Sequence, residues 1–104
     1  MTYKVVLARK AEEDQIDLIK QGYGKKIREL IKILEEDPFQ DPPRYKQLTG
    51  EMKGMFSRRI NIEHRMVYEV LPSEDKEFKG IVKVVRMKTH YKGIIPMFFL
   101  LASN

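Results

Sequence analysis

The sequence predicts an α+β domain: two N-terminal helices packed on one face of an antiparallel sheet of about four to five strands. Three observations carry this reading. A short β-prone segment opens the chain, a strongly periodic helical stretch follows, and from Phe56 onward β-rich segments alternate with short polar turns. Elements segregated in this way leave one sheet face for the helices and the other for chemistry.

Tyr3 to Ala8 (YKVVLA) is β-branched and aromatic enough for a first strand. Charge rises at Arg9–Asp14, and Ile16, Leu18 and Ile19 follow at spacings closer to a helix than a strand. Gly22 and Gly24, around Tyr23, break that helix. In the next segment Ile27, Leu30, Ile31 and Leu34 fall at i, i+3, i+4 and i+7, with Lys25, Lys26, Arg28, Glu29, Lys32 and Glu35 on the other faces. This second helix must lay one stripe on a core, and Asp37-Pro38 ends it. Residues 38–43 hold three of the five prolines and read as an irregular connection, followed by a basic, polar stretch.

Phe56 to Ile60 and Arg65 to Val70 are two extended segments around a short polar turn, the signature of a hairpin. Pairing Ile60 with His64 sets Arg59 opposite Arg65 on one face. Leu71 to Lys76 (LPSEDK) is another turn. Ile81 to Tyr91 reads as a long final strand, with Arg86, Lys88 and His90 on one face and Ile81, Val85 and Met87 on the other.

The 104 residues suit one domain, 1–104, with 92–104 an apolar C-terminal extension. Apolar residues at 42% and charged residues at 34% fit a core under a charged surface, not a disordered chain. A net charge of +5 favours polyanionic partners, RNA above all, through phosphate neutralisation and counterion release. The absence of cysteine excludes disulfides, thiolate nucleophiles and cysteine-based zinc sites. His64 and His90 lack nearby ligands at metal-binding spacings, so neither a metal nor another cofactor is expected. No signal peptide is expected at Met1. The run Ile94 to Leu101 contains Pro96 and is far short of the roughly 20 residues of a membrane helix, so the expectation is a soluble, cytoplasmic protein without a membrane partner.

Three pieces of the chain, in order, resemble the YoeB branch of the RelE-like toxins. They are Lys-Ile-Arg-Glu-Leu-Ile-Lys (26–32) with Asp37-Pro-Phe39, the stretch LTGEMKGMFSRRINIEHRMVYEV (48–70), and Lys88-Thr-His-Tyr91. Within the second, SRRI, EHR and MVYEV recur at the family's spacing. In the third, Thr89 stands where an aromatic is usual. The resemblance covers roughly residues 3–91 and implies the microbial-ribonuclease-like fold of the RelE/YoeB type and the toxin of a type II toxin–antitoxin system. It also implies a YefM-like antitoxin partner and cleavage of mRNA on the ribosome, with a homodimer among the possible assemblies.

Metal-independent RNA cleavage by the neighbouring 2′-hydroxyl needs a base for that proton, a cation for the phosphorane-like charge and an acid for the departing 5′-oxygen. By resemblance Arg65 is the catalytic arginine, and a planar guanidinium suits a phosphate. Arg59 is a second phosphate clamp, and Lys88 contacts the RNA backbone. His90 takes the acid role, which an imidazole with a pKa of about 6.5 can fill. Tyr91 stacks on a base or positions the leaving phosphate. The family's glutamate, its usual general base, falls on Lys46. That lysine can serve as a base if its pKa, ordinarily about 10.4, is depressed by crowding with Arg59, Arg65 and Lys88. Otherwise it binds phosphate only, and the alternative is a non-catalytic RNA- or ribosome-binding module on the same fold. Glu51 and Glu63 are possible substitutes, though neither aligns.

The family commonly stops near His-Tyr, whereas this chain continues through an apolar tail. The tail could add an edge strand, cover the core, form a dimer contact or crowd Tyr91. Taken alone, Arg58 and Arg59 read as solvated strand residues, His64 as a turn residue held by backbone hydrogen bonds, and the methionines as core and gap-filling residues. Lys25, Lys26 and Arg28 read as a solvated helix face, with contact to ribosomal RNA the other possibility.

Overall fold

A computed structural model of the chain describes residues 2–88. In chain order it contains β1 (Thr2–Leu7), α1 (Arg9–Lys20), α2 (Gly24–Glu36), β2 (Tyr45–Gln47), a short 3-10 turn (Gly50–Met52), β3 (Met55–Arg59), β4 (Arg65–Leu71) and β5 (Phe78–Arg86). The strands form one sheet ordered β1-β5-β4-β3-β2. Both helices pack on one face, as the sequence predicts. The sheet is mixed, because β1 runs parallel to β5, with Val5 beside Val82 and Leu7 beside Val84. The two helices carry the chain from the β1 edge to the β2 edge. Antiparallel pairings β2–β3, β3–β4 and β4–β5 then return it beside β1 in the same direction as β1.

Between the helices, Gly22 takes φ +98° and closes α1. Its amide donates to Ile19 O (3.0 Å) and that of Tyr23 to Leu18 O (3.0 Å), the paired bonds of a Schellman cap. Helix α2 buries Ile27, Leu30 and Leu34, as its periodicity requires. Its charges run against the helix dipole, with Lys25 and Lys26 at the N-terminus and Glu35 and Glu36 at the C-terminus. Packing, not charge, therefore holds it. Asp37 ends the helix by accepting the Phe39 amide on Oδ1 (2.9 Å).

Helix α1 forms where the spacing of Ile16, Leu18 and Ile19 suggests, but of these three only Leu18 is buried. Ile16 and Ile19 are 57% and 49% exposed, and the buried side is Ala11, Asp14 and Leu18. The carboxylate of Asp14 explains the phase. Arg86 donates to it from Nε (2.9 Å) and from its terminal nitrogen (3.3 Å), and the amides of Met87 and Lys88 add bonds of 2.9 and 3.0 Å. A buried carboxylate is tolerated when its oxygens are filled in this way.

The same bonds correct the last strand. It ends at Arg86 because Asp14 captures the next two amides, and the side chains of Arg86 and Lys88 both reach α1, at Asp14 and Asp17, so the side they share is not the open face. Val82, Val84 and Met87 join Met66, Tyr68 and Ile60 in the core beneath the helices. The remainder of the strand expected through Tyr91, and the extension 92–104, lie outside the described residues.

Candidate functional site

Alternation along β3 and β4 sends Phe56, Arg58 and Ile60, with Met66, Tyr68 and Val70, toward the helices. Ser57, Arg59, Arg65 and Val67 therefore face the other way. There Leu48 and Val67, flanked by Met52, Met55 and Val85, make a small apolar patch. Beside it opens a cleft of about 350 Å³ lined by Arg44, Lys46, Arg59 and Arg65.

Each member is placed by pairing. Lys46 on β2 lies opposite Ser57 on β3, and Arg59 lies opposite Arg65, the register expected from the hairpin. The turn between β3 and β4 is tied by Asn61, whose Oδ1 accepts the amides of Glu63 (2.8 Å) and His64 (2.6 Å), while Ile60 N donates to His64 O (2.9 Å). Arg65 thus begins β4 with little freedom. The residue is 8% exposed, and its guanidinium donates from Nε to Ser57 Oγ (2.8 Å) and from a terminal nitrogen to Ser57 O (3.4 Å). Arg59 is exposed and donates to Ile62 O (3.4 Å).

Four cationic side chains on one concave surface raise the local potential well above that of a mixed surface. Lys46 registers it. Burial, followed by the charges of Arg65, Arg44 and Arg59, lowers its ammonium below the ordinary lysine pKa. An anion seated in the cleft relieves this repulsion, and guanidinium groups suit the oxygens of a phosphodiester.

Of the residues singled out in the sequence, Lys46, Arg59 and Arg65 come together here. Lys88 does not line the cleft: its Nζ lies 3.3 Å from Asp17 Oδ2 on α1. His90 and Tyr91 lie outside the described residues. Glu51 and Glu63 do not line the cleft, and Glu63 faces His64 Nε2 at 3.6 Å. His64 is the buried turn residue its sequence context suggests. Arg44 was missed. Two positions before Lys46, it shares that residue's parity, a signal that appears only once 45–47 is recognised as a strand. Arg58 is not a solvated strand residue but fully buried, and the parity of its core neighbours Phe56 and Ile60 could have shown it.

A two-helix, five-stranded fold with a cationic cleft on its open sheet face defines a class of small basic α+β proteins. Within that class the chain belongs to the YoeB-like toxins of bacterial type II toxin–antitoxin systems, whose family model matches residues 10–91. It is 34% identical over 67 residues to a toxin YoeB of Streptomyces coelicolor, spanning 64% of this chain and 71% of that protein. Its fold superposes on a YoeB/ParE toxin from Agrobacterium tumefaciens with a TM-score of 0.72 at 30% identity, covering 85% and 99% of the two chains. Staphylococcus aureus YoeB, solved as a YoeB–YefM complex, gives 0.66 at 29% identity over 86% and 98% of the chains, and as a YoeB dimer 0.68 over the same shares. Among the described residues no helix is long and apolar enough to cross a membrane.

Proposed function

We propose that this toxin is a ribosome-dependent mRNA endoribonuclease that cleaves without a metal, by attack of a ribose 2′-hydroxyl on the adjoining phosphodiester. The observation that carries this reading is the convergence of Arg44, Lys46, Arg59 and Arg65 in one cleft, with Arg65 fixed by Ser57. Arg65 neutralises charge developing on the phosphoryl oxygens, and Arg59 and Arg44 grip the same linkage or its neighbour. Lys46, with its pKa lowered, takes the 2′-hydroxyl proton in its neutral form. The 2′-oxygen bonds to phosphorus, the bond to the 5′-oxygen breaks, and His90 protonates the leaving oxygen to give a 2′,3′-cyclic phosphate. Tyr91 positions that leaving group. Lys88 meets RNA outside the cleft, where its partner Asp17 is an exposed and weak competitor.

The biological setting follows from the family. A YefM-like antitoxin restrains the chain by covering the cationic face, and the toxin can pair with a second copy, as the Staphylococcus aureus protein does in its dimer structure. A second reading, a non-catalytic RNA- or ribosome-binding module, is favoured by the composition of the cleft, whose lining among the described residues is Arg44, Lys46, Arg59 and Arg65, all cations. Expression in bacterial cells separates the two. The nuclease reading expects growth arrest with new mRNA 5′ ends, both lost when Arg65→Ala is combined with His90→Gln. Arrest that persists in the double variant with mRNA intact selects the binding module.

A further inference from the structure

Arg58 stands between Ser57 and Arg59 in sequence but points the opposite way, into the fold, where it is 0% exposed. Its partners are backbone carbonyls and a phenol. It donates to Pro38 O (2.9 Å), Gln40 O (2.8 Å) and Pro43 O, and from Nε to Tyr68 Oη (3.2 Å). Tyr68, whose phenol burial pushes up to about 12, donates in turn to Pro38 O (2.7 Å). The guanidinium carbon also lies 5.0 Å from the centre of the Tyr45 ring.

Burying a guanidinium is costly unless its donors are filled. Here those donors serve a segment that cannot hold itself, because 38–43 contains three prolines without amides and lies outside helix and sheet. Strand β2 cannot hold it either: it is three residues long and pairs with β3 on one side only. Arg58 pins carbonyls at both ends of the connection, and the next residues are Arg44, Tyr45 and Lys46. Tyr45 lies directly across from Arg58 in the ladder, and Lys46 across from Ser57, which holds Arg65.

We propose that Arg58 is a positioning residue: from inside the fold it fixes the 38–43 connection and so sets Arg44 and Lys46 in the cleft against Arg65. Only the RNA arm of its test rests on reading the cleft as a phosphate site. The full-length chain carrying Arg58→Met is compared with wild type by NMR titration of the Lys46 ammonium, which senses how near Arg65 and Arg44 are held. The Lys46 pKa should move up toward the ordinary lysine value. Leu30→Val, which loosens the core beneath α2, should lower Tm and leave that titration alone. Affinity for a single-stranded oligoribonucleotide should fall about tenfold, the scale of one lost charged contact. Arg44→Ala should then add little in the Arg58→Met background, because both changes remove the same contact.

A folded Arg58→Met chain with an unchanged Lys46 titration and additive losses with Arg44→Ala overturns the proposal. If Arg58→Met does not fold, Tyr68→Phe loosens the same clamp more gently. The same upward movement, smaller in size, is expected there, and an unchanged Lys46 overturns the proposal. A wild-type chain that fails to bind the oligonucleotide, while Lys46 still moves in Arg58→Met, rejects the phosphate reading and supports the positioning role.

Discussion

Arg65 reaches the cleft with Nε already committed to Ser57 Oγ, so the serine hydroxyl sets the angle at which the remaining donors meet a phosphate. Ser57→Ala should cost about 1 kcal/mol of stability, the ordinary value of one such bond. It should weaken binding of a single-stranded oligoribonucleotide several-fold more than that loss alone would suggest, because a loosened guanidinium must be reordered on binding. Equal affinity of wild type and variant in a filter-binding assay would show that Ser57 does not orient Arg65. Lys46 gives a second residue-scale test. Its positive neighbours penalise the ammonium in the free protein, and a bound phosphodiester offsets part of that penalty. Its pKa should therefore rise on binding yet stay below the ordinary lysine value, which keeps a neutral fraction to act as the base. A Lys46 titration that stays put or falls when the oligonucleotide is added contradicts the assignment. Arg59 and Arg65 were legible because they sit in or beside a hairpin whose register follows from Ile60 and His64, and Lys46 only through the family resemblance, which sets it where a glutamate is usual. Arg44 was not, since its neighbours in space belong to a strand too short to leave a periodic trace.

At the scale of elements, the legible parts are those whose signal is local. The α2 stripe and the β3–β4 hairpin were both readable, because period and turn chemistry act within a dozen residues. The pairing of β1 with β5 was not, because nothing near Tyr3 indicates a partner near Gly80. The buried side of α1 was hidden for the same reason, as Asp14 finds Arg86 across 72 positions. Two glycines test the element boundaries. Gly22→Ala must hold φ +98° and should cost about 1 kcal/mol. Gly80→Ala should cost more, because a Cβ there would lie 2.9 Å from Leu71 O on the adjacent strand, a backbone atom that cannot rotate away. Thermal melts giving the reverse order would contradict this account of the β4–β5 contact. Asp14 adds a pH dependence. Burial opposes ionisation, but bonds from Arg86, Met87 and Lys88 outweigh it, so the folded pKa lies below 3.8. Its stabilisation is therefore fully present above the unfolded value and is lost as pH falls through the lower folded value. Asp14→Ala should cost about 3 kcal/mol at neutral pH and remove that component of acid sensitivity, read from denaturant midpoints as a function of pH.

Over the whole molecule, a net charge of +5 says little about where a polyanion sits, and the fold supplies the answer by gathering four cations on the face the helices leave open. Binding of single-stranded RNA by those four should weaken with salt at a log–log slope of about −3, whereas diffuse surface attraction would be shallow and indifferent to substitution in the cleft. The central claim is that one phosphodiester is held between Arg59, Arg65 and Lys46. The most direct measurement adds a non-cleavable 2′-O-methyl oligoribonucleotide to chain labelled with 15N at the arginine and lysine side chains. The first and largest shifts should fall on the Arg65 and Arg59 Nε–H groups and the Lys46 ammonium, with Arg86 unmoved in its pair with Asp14. Shifts confined to the helix cations Lys25, Lys26 and Arg28, with Arg65 silent at saturation, would contradict it.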